Sequence, residues 1–106
     1  MSEIDERIRG KAMARLARIF GVSLETLSPE RRFGEDLKAS FVSDFRRNEL
    51  DRINDDIHDV ADRLIAKELA SGKLTISTAG DYGDHMIRCS KTRPKEVEKL
   101  LDGASD

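Results

Sequence analysis

The sequence has no tryptophan, one tyrosine, four phenylalanines, two prolines and a single cysteine among its 106 residues. One thiol cannot form an internal disulfide, and it cannot supply a cysteine-rich zinc framework. No run approaches the roughly 18 apolar residues that a membrane span needs. Neither sign of charge dominates. Nineteen Lys and Arg against 21 Asp and Glu leave a formal charge of −2, which argues against the strongly basic face of a general nucleic-acid binder. With 5% aromatic residues and few β-branched runs, helices are favoured over sheets. What is abundant is charge, 38% of the chain, beside 38% hydrophobic residues. That mixture makes a charged surface around one small core. The chain therefore reads as a single all-α domain over residues 1–106, with its core at about 3–90 and a C-terminal extension at 91–106. The segment from Met1 to Arg7 is charged and carries no apolar signal segment, so the expected compartment is the reducing cytoplasm.

Apolar residues recur at helical spacing. Ile4, Ile8, Ala12, Leu16, Ile19 and Phe20 form one stripe and predict a helix at about 3–20, closed by Gly21. Between 21 and 39, Val22, Leu24, Leu27, Phe33 and Leu37 follow no single period. This stretch is a long loop held down by spaced anchors, and loops of that length are often functional. A second pattern begins near Ser40. Leu50, Ile53, Ile57, Val60 and Leu64 make a seam at spacings of 3, 4, 3 and 4. It predicts either one helix running to about Leu69 or a break near Asn54-Asp55-Asp56, with Ser71-Gly72 as the end. Leu74-Thr75-Ile76 reads as extended linker. Thr78 and Asp81 have capping-box spacing before a helix carrying Ala79, Tyr82, Met86 and Ile87. Pro94 opens a last helix over Lys95–Leu101.

The chemistry is concentrated where the long loop ends: Phe33-Gly34-Glu35-Asp36-Leu37-Lys38-Ala39-Ser40-Phe41. A serine stands at the expected start of an acidic helix. A hydroxyl at a helix N-terminus is exposed, and the dipole there favours an attached negative group. No histidine lies nearby in sequence to make the serine a nucleophile, so a phosphodiester suits it better.

These residues resemble the acyl carrier proteins. Phe20-Gly21-Val22-Ser23, Leu27-Ser28-Pro29-Glu30 and Phe33-Gly34-Glu35-Asp36-Leu37 are similar to that family's end of helix 1, its long loop and the Glu-Asp-Leu before its modified serine. Ile76-Ser77-Thr78-Ala79-Gly80-Asp81-Tyr82 is similar to the Thr-Val-Gly-Asp-Leu pattern that opens the family's last helix. The resemblance implies a four-helix carrier bundle, here with an added C-terminal helix. It also implies covalent 4′-phosphopantetheine, placed on a serine from coenzyme A by a phosphopantetheinyl transferase. Acyl intermediates would ride on its thiol as thioesters, in fatty acid or specialised lipid biosynthesis. The family's Asp-Ser-Leu reads Ala39-Ser40-Phe41 here, and Ser40 stands three residues past Leu37 where the family has four. Ser43 is the alternative attachment site, since Leu50, Ile53 and Ile57 fall at core positions when counted from it. Glu49, Asp51, Asp55, Asp56 and Asp59 would meet basic patches on acyl-transfer or synthase enzymes. Phe41, Phe45, Ile53, Ile57 and Met86 would line the acyl pocket. The stretch Asp59–Lys73, with Gly72-Lys73 and Ser77-Thr78, is similar to carriers for the very long acyl chains of lipid A.

Plainer readings stand beside these. Ser40 and Ser43 can be helix caps, and the acids a solvated face. His58 lies among Asp55, Asp59 and Asp62, and His85 four residues after Asp81, where ion pairs are favoured over a metal site. Cys89 is expected in the core. No cluster of acid, base and nucleophile indicates an enzyme. The expected protein is a monomeric carrier with no metal, no membrane span and no nucleic-acid partner. The alternative is a helical interaction module that has lost the prosthetic group.

Overall fold

Helix 1 forms where its stripe predicts. In a computed structural model, which describes residues 3–37 and 49–102, α1 runs from Glu3 to Phe20. Gly21 takes φ +66° and lets the Val22 N–H reach back to the Ala17 carbonyl at 3.0 Å, which closes the helix end. Four further α-helices follow: α2 (Glu49–Asp59), α3 (Arg63–Ser71), α4 (Ala79–Ser90) and α5 (Pro94–Asp102). A 3-10 turn at Leu24–Thr26 interrupts the first loop. The described residues are all-helical apart from two isolated bridges, Arg32 to Thr78 and Phe33 to Leu37.

The main interface is α1 against α4, with α5 packed on both. Ala12 and Leu16 of α1, and Ala79, Tyr82, Met86 and Cys89 of α4, have no exposed surface. Two glycines make the close approaches that α4 requires. A Cβ on Gly83 would meet the Arg9 side chain at 3.3 Å, and one on Gly80 would meet Pro29 at 3.1 Å. Their helix-propensity cost, roughly 1 kcal/mol each, is offset by this packing.

The apolar seam from Leu50 to Leu64 does not belong to one helix, and no break occurs at Asn54-Asp55-Asp56. The chain turns at Val60–Asp62 instead. Asp62 is the N-cap of α3, accepting the Ile65 N–H at 2.9 Å. Its other oxygen accepts the Thr92 hydroxyl at 2.7 Å, and Arg93 donates to the Ala61 carbonyl at 2.9 Å. An N-cap with its own partners in the α4–α5 connection competes successfully with helix continuation. The turn rotates the seam, so Ile65 is 3% exposed while Leu64 is 62% exposed. Gly72, at φ +83°, ends α3. The last helix starts at Pro94, as its sequence predicts, and buries Val97 and Leu101. No helix among the described residues is long and apolar enough to cross a membrane.

Candidate functional site

The loop between α1 and α2 is docked on the first turn of α4. A helix N-terminus leaves its first N–H groups without intrahelical partners. Here the Pro29 carbonyl accepts the Gly80 N–H, and the Arg31 carbonyl accepts the Ala79 N–H, both at 2.9 Å. The Thr78 hydroxyl accepts the Asp81 N–H at 3.0 Å. In return, Asp81 Oδ2 accepts the Ser77 and Thr78 N–H groups at 3.1 and 3.2 Å, completing the capping box expected from the spacing. Burial works against the Asp81 carboxylate, yet these hydrogen bonds hold it below its usual 3.8.

The loop continues into a closed turn over Phe33–Leu37. Gly34 adopts φ +86° and donates its N–H to the Leu37 carbonyl at 2.9 Å. Asp36 accepts the Arg32 N–H at 3.0 Å. The turn points its apolar residues inward. Leu37 is buried, and Phe33 stacks on Phe20 with ring centroids 6.0 Å apart while meeting Tyr82 edge-on at 6.5 Å. Glu35 and Asp36 stay exposed. The Phe33 N–H also donates to the Ser77 carbonyl at 2.9 Å. Ser40, Ser43, Phe41 and Phe45 follow this turn and lie outside the described residues.

The acids of α2 divide in two. Asp51 and Asp59 are exposed, and Glu49 and Asp55 are half-buried. Asp56 does not belong to this surface. It is 3% exposed and is held from two sides. Arg15 donates through Nε to its Oδ2 at 2.7 Å and through Nη2 to its Oδ1 at 3.0 Å. The Tyr82 hydroxyl donates to Oδ2 at 2.8 Å, and Arg15 Nη1 adds a longer bond to the Leu100 carbonyl at 3.3 Å. The network joins α1, α2, α4 and α5. Burial and then the adjacent Asp56 carboxylate push the Tyr82 phenol well above its usual 10, so it acts as a donor and not as an acid.

The sequence holds a signal for this network. Ala12, Arg15, Leu16 and Ile19 repeat the i, i+3, i+4, i+7 positions of a core face, and Ile53, Asp56, Ile57 and Val60 do the same. A basic residue in one seam and an acid in the other mark a buried pair. Reading Asp56 as a surface acid and Tyr82 only as part of the apolar face of its helix missed it.

Of the residues expected around an acyl chain, Ile53, Ile57 and Met86 are all buried, with Met86 fully enclosed. Two shallow grooves flank the extended segment Leu74–Ile76. One, of about 280 Å³, is lined by Asn54, Ile57, His58, Leu69, Gly72 and that segment. The other, of about 200 Å³, reaches Asp81, Asp84, His85 and Arg88. His85 is buried and donates from Nε2 to the Ile57 carbonyl at 2.8 Å, and burial holds its imidazole below 6.5. Cys89 lies one turn further on, wholly enclosed, with its thiol pushed up to about 11 by burial. A buried thiol of that kind is core packing, not a nucleophile. Among the described residues, no group of three or more His, Cys, Asp or Glu side chains could hold a metal ion. No family model, no curated protein and no solved structure matches the chain.

Proposed function

We propose that the chain is a carrier domain that holds acyl intermediates as thioesters on 4′-phosphopantetheine. The group is attached through Ser40, with Ser43 as the alternative, and serves fatty acid or specialised lipid biosynthesis. One observation carries the reading. The two stretches that resemble acyl carrier proteins, 33–37 and 76–82, are far apart in sequence yet form one hydrogen-bonded unit. The Phe33 N–H donates to the Ser77 carbonyl, and the carbonyls of Pro29 and Arg31 serve the first N–H groups of α4. The turn is closed by a glycine in the left-handed region and buries Leu37 three residues before Ser40. Such an anchor fixes the chain just ahead of the serine, as a partner enzyme that must find one hydroxyl requires.

In this reading the protein catalyses nothing. The transferase supplies the chemistry of attachment, and Asp51 and Asp59, with Glu49 and Asp55 beside them, supply an acidic surface for basic partners. The test is intact mass after incubation with coenzyme A, Mg²⁺ and a broad-specificity phosphopantetheinyl transferase. A gain of one phosphopantetheine is expected. An unchanged mass with folded protein overturns the proposal and leaves the interaction module as the better account.

A further inference from the structure

The most exposed large apolar side chain among the described residues is Ile4, at 67%. It continues the core stripe of α1, yet it projects beyond the bundle. With Ile8 of α1 and Val97 and Leu101 of α5 it lines an open groove of about 280 Å³. Arg7 rims this groove on the α1 side and Glu98 on the α5 side. Neither has an ion-pair or hydrogen-bond partner among the described residues. Charged side chains nearby are matched within the chain, Lys11 to Asp102 and Lys91 to Asp5.

From this arrangement we infer that the groove is a self-association surface, occupied by the same groove of a second copy of the chain. An isologous contact requires a patch that is complementary to itself, so that residue i meets j while j meets i. An apolar floor with an unmatched cation on one wall and an unmatched anion on the other meets that condition. Turned by a two-fold axis, Arg7 of each copy faces Glu98 of the other, and the two Ile4 side chains leave water. A partner of one charge sign would satisfy one wall and oppose the other. The contact is small, so association is weak and concentration-dependent. It departs from the monomer expected from the sequence.

Sedimentation equilibrium of the full chain, from micromolar to about 1 mM, tests this. The expected result is a mass rising toward twice the monomer value. Ile4→Asp should hold the chain at monomer mass with unchanged helical circular dichroism, since the side chain is already exposed. Arg7→Glu and Glu98→Arg should each weaken association by roughly tenfold. The double variant Arg7→Glu/Glu98→Arg should restore it, because the exchanged pair reforms across the axis. A monomer at every concentration overturns the inference. So does association that survives Ile4→Asp, or a double variant no better than the singles, which would assign the groove to a different partner.

Discussion

Replacing Asp56 by alanine removes the bidentate carboxylate partner of a guanidinium whose side chain is 7% exposed. Arg15 keeps the longer 3.3 Å bond to the Leu100 carbonyl, and the enclosed Tyr82 hydroxyl loses its Asp56 acceptor. Breaking a buried ion pair from one side costs about 3–5 kcal/mol, because the surviving charge stays in a low-dielectric site. Native stability of a domain is about 5–15 kcal/mol, so Asp56→Ala should bring the fold close to its threshold. At about 4–8 °C per kcal/mol for a chain near this size, the melting temperature should fall by at least about 12 °C. Tyr82→Phe removes one hydrogen bond to a charged acceptor and should cost about 1.5 kcal/mol. The triple variant Arg15→Met/Asp56→Leu/Tyr82→Phe removes all three polar side chains together and should recover most of the loss. Urea denaturation followed by circular dichroism measures each value, and a double-mutant cycle between Arg15 and Asp56 isolates their coupling. Additive effects of Arg15→Ala and Asp56→Ala, or a cost for Asp56→Ala below about 1 kcal/mol, would refute the reasoning.

Three further outcomes are expected. Burial keeps the His85 imidazole below its usual 6.5, so just under that pH the unfolded chain binds more protons than the folded one. Stability should therefore decline as pH falls through 6.5 toward the folded value, and His85→Gln should remove that slope in denaturation curves taken at stepped pH. Gly80→Ala drives a Cβ to 3.1 Å from Pro29 and should cost about 1–3 kcal/mol, with faster amide exchange at Arg31, Phe33 and Gly34 than in the parent. Unchanged exchange there would separate the loop from α4. Reversing the exposed acids Asp51 and Asp59 to Lys should slow transfer by a basic partner enzyme most strongly at low salt, and a rate insensitive to ionic strength would remove α2 from the docking surface.

Helix 1, the capping box of α4 and the Pro94 start of α5 were legible because each rests on local chemistry: a 3.6-residue stripe, a reciprocal side-chain cap and a proline at the first helical position. The turn at Val60–Asp62 was not. The seam through Leu64 is continuous in sequence, and what ends α2 is the turn at Ala61-Asp62, where Thr92 donates to the Asp62 carboxylate and Arg93 to the Ala61 carbonyl from a distant connection. Tertiary partners of that kind leave no mark on a local pattern. Asp56 was misread for a related reason. An acid among Asp51, Asp55 and Asp59 looks like one more member of a charged face until its register with Ile53 and Ile57 is counted. Of the five spaced apolar residues expected to anchor the first loop, Leu27, Phe33 and Leu37 pack inward, but Val22 and Leu24 are exposed, and the loop's attachment to α4 runs through the backbone carbonyls of Pro29 and Arg31, which no side-chain pattern encodes.

The measurement that bears most directly on the carrier reading is peptide mapping of the chain after reaction with coenzyme A and a broad-specificity transferase, run on the parent and on Ser40→Ala, Ser43→Ala and the double variant. One phosphopantetheine is expected on the peptide spanning Ser40, lost in Ser40→Ala with the fold intact, since loss of a cap costs only about 0.5–2 kcal/mol. Mass that moves with Ser43 would shift the attachment site and keep the function. A parent chain that stays folded and takes up no phosphopantetheine at either serine would contradict it.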